Sequence, residues 1–400
     1  MNPDLDKLRP YPFERLAALK SQAHYRGSAP HISLAIGEPQ HPTPHFIAER
    51  LIAHAHGLGC YAPTGGDPDL RQAICDWLGR RYGVPESWLD PVRQVLPVNG
   101  TREGLFALAQ AVVDRGRNPV VAMPNPFYQL YEGAALLAGA EPLYLATPAA
   151  NGYLPDLEAV PAETWERCQL FYLCSPGNPT GALADAALLD RLLMLADRHD
   201  FVVAADECYA DIYPDDDHPP LGLLEHCVRR RRRDFRRCLV FHSLSKRSSA
   251  PGLRSGFVAG DAELLGHFLS YRTYHGCAMA LQVQAASAAA WRDAQHVADN
   301  RERYRRKFEA VTEILAPVLP VAQPDAGFYL WLPTPMPDTD FALELYRQHN
   351  VTVLPGSYLS RRVDGFDPGA NHVRVALVPE LEDCVEAALR IRRFLEPGAR

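Results

Sequence analysis

The sequence predicts an α/β protein: a large domain with a mainly parallel seven-stranded sheet between helices, joined to a smaller α+β domain. Three observations carry this expectation. Short apolar runs recur through the middle of the chain, helical stripes lie between many of them, and the pattern changes character near residue 278. Strands alternating with helices imply layers around a mainly parallel sheet.

The strand-like runs are Gln94–Val98, Pro119–Met123, Glu141–Leu145, Gln169–Cys174, Phe201–Ala205, Cys238–His242 and Gly256–Gly260. Each is short, and several are rich in valine, leucine or aromatics, which suits buried strands. Leu105, Phe106, Leu108, Ala109, Val112 and Val113 form one apolar helical stripe. Leu188, Leu189, Leu192, Leu193, Leu195 and Ala196 form another. Residues 1–45 are proline-rich and read as irregular. From about 278 to 316 the chain reads as one long helix, followed by strands at Phe328–Leu332, Val351–Leu354 and His372–Leu377 and a last helix over Glu380–Phe394. The expected organisation is an N-terminal arm with part of the small domain over 1–45, a large domain over 46–285 and the small C-terminal domain over 286–400.

Composition narrows the class. A chain of 400 residues with 47% apolar content can bury a large core. Its 35 prolines are about twice the average share, which argues against coiled coils and helical arrays. Lys plus Arg (41) against Asp plus Glu (48) gives −7, which excludes a wholesale polyanion binder but permits a local basic site. The nine cysteines are scattered and contain no Cys-x-x-Cys, so zinc-ribbon and thioredoxin-like readings fail and free thiols are expected. Met1–Leu8 leads into no apolar segment, and no run of about 18 apolar residues occurs, so neither a signal peptide nor a spanning helix is expected. A cytoplasmic protein without a membrane partner is the expectation. The run Arg229–Arg233 with Arg236 and Arg237 reads either as a nucleic-acid patch or as a solvated face; no aromatic platform accompanies it, so no nucleic-acid partner is expected.

Chemistry collects at the ends of the strand-like runs, where ligands bind in parallel α/β sheets. Ser243-Leu-Ser-Lys246 follows one of them and leads to Arg254; a lysine there can form a Schiff base if its pKa is lowered, and a surface lysine is the plainer reading. Asp206 follows another, with Tyr209 three residues on. A carboxylate at a buried strand end needs a partner, such as a protonated ring nitrogen, unless it caps the next helix. Ser175-Pro-Gly-Asn178-Pro-Thr-Gly181 is a rigid turn in which a cis bond is available at either proline. Asn99-Gly100-Thr101-Arg102 joins a strand to a helix, whose N-terminus can cradle phosphate. No Gly-x-Gly-x-x-Gly in such a position, Walker loop, His-Glu-x-x-His or Gly-x-Ser-x-Gly appears.

Taken in order with Pro126-Phe-Tyr128-Gln-Leu-Tyr131, these motifs resemble fold-type I, class I aminotransferases, which carry pyridoxal 5′-phosphate (PLP). The similarity runs from Ile36-Gly37-Glu-Pro39 and Tyr61-Ala-Pro-Thr-Gly65 to Val373-Arg374-Val375. The resemblance implies that Lys246 holds PLP as a Schiff base and shuttles a proton, that Asp206 keeps the pyridine nitrogen protonated, and that Asn178 and Tyr209 hydrogen-bond the ring oxygen. It implies that Tyr128 stacks on the ring and that Gly100, Thr101, Arg102, Ser243 and Arg254 bind the phosphate, joined by Tyr61 from the partner of a homodimer. Arg374 and Gly37, with Asn178, would bind the substrate.

Leu8-Arg-Pro-Tyr-Pro-Phe13, Gly37-Glu-Pro-Gln-His-Pro42, Phe241-His-Ser-Leu-Ser-Lys-Arg247 and Tyr271-Arg-Thr-Tyr-His-Gly-Cys277 resemble, within that family, the proteobacterial succinyldiaminopimelate aminotransferases. These convert N-succinyl-2-amino-6-oxopimelate and glutamate to N-succinyl-LL-2,6-diaminopimelate and 2-oxoglutarate. Small amino and oxo acids are therefore the expected partners. Arg272 and the Tyr11–Phe13 arm are candidates for the succinyl carboxylate, with a solvated Arg272 as the alternative. The same machinery elsewhere serves aspartate, aromatic, kynurenine or acetylornithine transamination and C–S β-elimination, and a non-enzymatic scaffold of the same fold is the reading from outside enzymology.

Overall fold

The computed structural model describes residues 1–396; the last four positions of the expected small domain lie outside them. Seven strands form the central sheet: β2 (Val95–Val98), β3 (Val120–Asn125), β4 (Glu141–Ala146), β5 (Cys168–Cys174), β6 (Val202–Asp206), β7 (Cys238–Ser243) and β8 (Gly256–Gly260). Their order is β2-β8-β7-β6-β5-β3-β4. Neighbours are parallel except around β8, which runs antiparallel to both β7 and β2. The apolar runs are continuous because both faces of the sheet are covered. In β5, Phe171 and Leu173 point into a core with Trp77, Leu189 and Leu192, while Leu170 and Tyr172 point into one with Leu105, Leu108 and Phe268.

A two-stranded parallel ribbon pairs β1 (Ile32–Ser33) with β10 (Val351–Thr352), and an antiparallel sheet has the order β11 (Leu354–Pro355), β12 (His372–Ala376), β9 (Tyr329–Pro333). The expected strand Val351–Leu354 is thus two strands in two sheets. Pro355 has no N–H to give to a ladder, and β11 accordingly sits at an edge.

Two further expectations are corrected. The segment 278–316 is two helices, Leu281–Arg292 and Gln295–Leu315. Asp293 leaves helical geometry (ψ 130°), and its carboxylate accepts the His296 N–H at 3.0 Å, starting a new helix as a capping residue does. The N-terminal stretch is not wholly irregular: Pro12–Lys20 is helical, with Pro12 in the first turn, Glu14 capping Tyr11 N–H and Leu16 buried.

Four of the seven arginines in the run are ion-paired. Arg229 meets Glu225, Arg230 meets Asp190, Arg232 meets Asp197, and Arg237 meets Asp200.

Candidate active site

The sheet register brings the motif residues to one edge. Cys174 lies opposite Asp206, and Asp206 opposite Phe241; Val98 and Ser243 both lie opposite Gly256. The carboxyl ends of β2, β5, β6 and β7 therefore open into one cleft of about 610 Å3. Gly37, Thr101, Arg102, Tyr128, Asn178, Asp206, Tyr209, Ser243, Lys246, Arg254 and Arg374 all line it. Gly100 stands just behind, and Tyr61 is fully exposed outside it.

Lys246 lies in the short helix Leu244–Arg247 directly after β7, started by Ser243, whose Oγ accepts the Ser245 N–H at 3.1 Å. Its ammonium donates to the Gly37 carbonyl. Burial pulls its pKa down to about 8, against the opposing influence of Cys208 and Glu38.

Asp206 ends β6 and is buried. No helix follows it directly, so it caps none; the Cys208 N–H reaches its Oδ1 at 3.3 Å. The Tyr131 hydroxyl donates to Oδ2 at 2.7 Å. Burial raises its pKa despite these hydrogen bonds. Among the described residues it has no salt-bridge partner, an arrangement that a cationic ligand atom would complete.

The helix Thr101–Val112 begins at the same edge with Gly100 at φ 81°. A side chain at Gly100 would overlap the Arg254 guanidinium, so glycine is what lets Arg254 close over this terminus. Arg254 donates to Pro251 O at 3.0 Å and to Asn99 O at 3.3 Å, with no carboxylate partner among the described residues. Arg102 turns away from it: Nε donates to the Tyr128 hydroxyl at 2.5 Å. Arg102 and Arg254 are both exposed at this edge, and the Arg102 guanidinium is engaged with Tyr128.

Arg374, on β12, is 4% exposed. Nη1 donates to Asn178 Oδ1 at 2.8 Å, Nη2 donates to Ala35 O at 2.7 Å, and Nε has no partner among the described residues. It lies 4.3 Å from the Tyr329 ring centroid. The Ser175–Gly181 turn that presents Asn178 has cis bonds at both prolines. Tyr209 and Tyr329 share a hydrogen bond of 2.9 Å between hydroxyls, and a side chain at Gly37 would overlap the Tyr329 hydroxyl.

The site thus presents a buried carboxylate and three arginines, Arg102, Arg254 and Arg374, none paired with an opposite charge among the described residues. That donor set fits PLP and an amino acid: a ring nitrogen for Asp206, a phosphate for Arg254 with Ser243 and the helix terminus, and a carboxylate for Arg374.

Sequence reasoning did not single out Tyr329 or the hydrogen bond from Tyr131, because each reads as an aromatic of the core. Arg272 is corrected in both its readings. It is fully buried, pairs with Glu103 and donates to Cys277 O at 3.1 Å, outside the cleft. Tyr11 and Phe13 do line the cleft, as does Glu38.

Residues 29–391 match the family described as aminotransferase class I and II. An LL-diaminopimelate aminotransferase of Nitratidesulfovibrio vulgaris (Miyazaki F) is 31% identical over 395 residues, 97% of each chain. An aminotransferase structure from Neisseria meningitidis Z2491 superposes with a TM-score of 0.95 at 45% identity, covering 99% of this chain and 100% of that one. A probable N-succinyldiaminopimelate aminotransferase from Thermus thermophilus gives 0.83 at 28% identity, over 95% and 99%. The chain belongs to the class I and II aminotransferase family, whose cofactor is pyridoxal 5′-phosphate.

Proposed function

We propose that this protein transfers an amino group from L-glutamate to N-succinyl-2-amino-6-oxopimelate, giving 2-oxoglutarate and N-succinyl-LL-2,6-diaminopimelate, a step toward diaminopimelate and lysine. The names of its relatives support the pathway. The observation that carries the substrate class is that the cleft holds two arginines besides Arg254: Arg374 buried, and Arg102 exposed beside Tyr128. A substrate with one carboxylate beside the reacting amine and others at its far end meets a cation at each end.

Bound PLP supplies an electron-accepting ring for the charge left when the substrate Cα–H bond breaks. Asp206 would keep a proton on the ring nitrogen, and Tyr131 donates to that carboxylate and holds it in place. Lys246, whose pKa burial lowers to about 8, would move the proton from the substrate Cα. Arg254, Ser243, Thr101 and the helix terminus at Gly100 would hold the phosphate. Asn178 and Tyr209 would offer hydrogen bonds to the ring oxygen, Tyr128 would cover the ring, and Arg374 with Gly37 would orient the substrate. Glutamate and the oxo acid use this site in turn. Tyr61, exposed on one protomer, would reach the site of a second copy in a homodimer.

A second reading has an observation of its own. Glu38 stands in the same cleft and would suit the free distal ammonium of LL-diaminopimelate, the substrate named for the 31% identical relative. Comparing kcat/KM across oxo acids with glutamate as donor separates them. The proposal expects the succinylated acceptor to exceed oxaloacetate and aromatic oxo acids by about a hundredfold. Preference for the unsuccinylated acceptor overturns it in favour of the second reading, and pyruvate with ammonia from a cysteine conjugate would mark a lyase.

A further inference from the structure

Behind Lys246 runs a buried polar chain that none of these roles uses. The helix Leu244–Arg247 is too short to satisfy its own last carbonyls. Asn300, from the helix Gln295–Leu315, supplies the missing donor: Nδ2 reaches Lys246 O at 3.1 Å and Arg247 O at 3.2 Å. Asn300 Oδ1 in turn accepts from His41 Nδ1 at 2.9 Å and from Ser249 Oγ at 3.2 Å. His41 Nε2 accepts from Lys307 Nζ at 2.5 Å, and Lys307 also donates to Val378 O at 3.3 Å. An ammonium only donates, so the directions fix one neutral tautomer of His41.

His41, Asn300 and Lys307 are 4%, 7% and 1% exposed. Lys307 has no salt-bridge partner among the described residues, which makes its burial costly. What it gains is reach. His41 lies four residues after Gly37, and Val378 four residues after Arg374. One hydrogen-bonded chain therefore ties the Gly37 segment, the Lys246 turn and the end of the Arg374 strand.

We propose that Asn300, held by His41 and Lys307, is a positioning residue that sets where Lys246 stands relative to Gly37 and Arg374. The inference rests on the transamination role given to Lys246 above, and not on the identity of the acceptor.

The test uses full-length holoenzymes of Asn300→Ala, Lys307→Met and Lys307→Gln. The readouts are the pH midpoint of the bound cofactor's visible band, the single-turnover rate with glutamate, and glutamate Kd. Asn300→Ala is expected to lower the single-turnover rate roughly 10- to 100-fold, with Kd within about threefold, since a misplacement near 1 Å costs that much. The band midpoint should move by about half a unit or more, because the surroundings of the lysine change. Lys307→Met should shift both readouts the same way. Lys307→Gln, which keeps a donor for His41, should stay near wild type. A loaded Asn300→Ala protein with wild-type rate and midpoint overturns the proposal. So do Met and Gln variants that cannot be told apart, and that pair decides alone if Asn300→Ala does not fold. If the wild type does not turn over glutamate, the donor assignment fails while the band midpoint still decides this inference.

Discussion

Replacing Arg374 with methionine separates an arginine that binds substrate from one that holds the fold. Its guanidinium is buried, hydrogen-bonded to Asn178 Oδ1 and Ala35 O, and unpartnered at Nε among the described residues. No carboxylate of the chain offsets its charge among those residues, so the free protein bears the desolvation cost until a substrate carboxylate arrives. Truncating one side of a buried, hydrogen-bonded ion pair costs about 3–5 kcal/mol. In kcat/KM for glutamate that is a loss of roughly 10² to several 10³-fold. Stability should respond differently. Asn178 and Ala35 each lose a donor, at about 1–3 kcal/mol, but the bare buried charge disappears as well. The net change in unfolding free energy should stay within about 2 kcal/mol, the two opposing contributions being of similar size. Single-turnover kinetics and urea unfolding on the same preparation read both quantities. A large loss of stability with kcat/KM within tenfold of wild type would refute the reasoning and make Arg374 structural.

Other consequences follow from the same geometry. Lys246 should titrate near 8 and not near 10.5, so PLP capture by the apoprotein should accelerate as pH rises through about 8. The folded state releases this proton before the unfolded chain does; between about 8 and 10.5 the stability of the apoprotein should therefore rise with pH, and Lys246→Met should abolish that increment in urea titrations. Gly100→Ala forces a side chain into φ 81° against the Arg254 guanidinium. The backbone conformation alone (φ 81°, ψ 148°) costs about 1–3 kcal/mol for a non-glycine residue, and equilibrium dialysis should show PLP affinity falling about tenfold or more; unchanged affinity would remove this turn from the phosphate cradle. Arg272→Met leaves Glu103, which keeps the Asn99 N–H, without its buried partner and should destabilise the protein by about 1–3 kcal/mol, while the ranking of oxo acids stays as in the wild type.

The central strands could be read from the sequence because both sheet faces are buried, and their apolar runs end where polar motifs begin. The positions of Asp206, Asn178 and Lys246 were legible for the same reason, since each interrupts or follows an apolar strand at the edge of the cleft; the roles given to them came from the family resemblance. Features set by distant partners were not. Arg272 looks like any polar residue of a helix, and the carboxylate that pairs with it, Glu103, is far away in sequence. Tyr329 sits in an apolar strand, and only folding brings its hydroxyl to Tyr209. The break at Asp293 is hidden because the helical pattern resumes at once; one carboxylate and one backbone angle make the difference. His41 and Lys307 carry no local signal at all, since their meaning comes from Asn300 lying between them and Lys246.

The central claim is that this cleft performs transamination through Lys246. It is tested most directly by mixing the holoenzyme with glutamate alone and measuring 2-oxoglutarate per protomer. The arrangement predicts a single stoichiometric release without acceptor, a loss of the original visible band, its recovery on adding the succinylated oxo acid, and none of these in Lys246→Ala. Absence of the stoichiometric release, or the same release from Lys246→Ala, would contradict it.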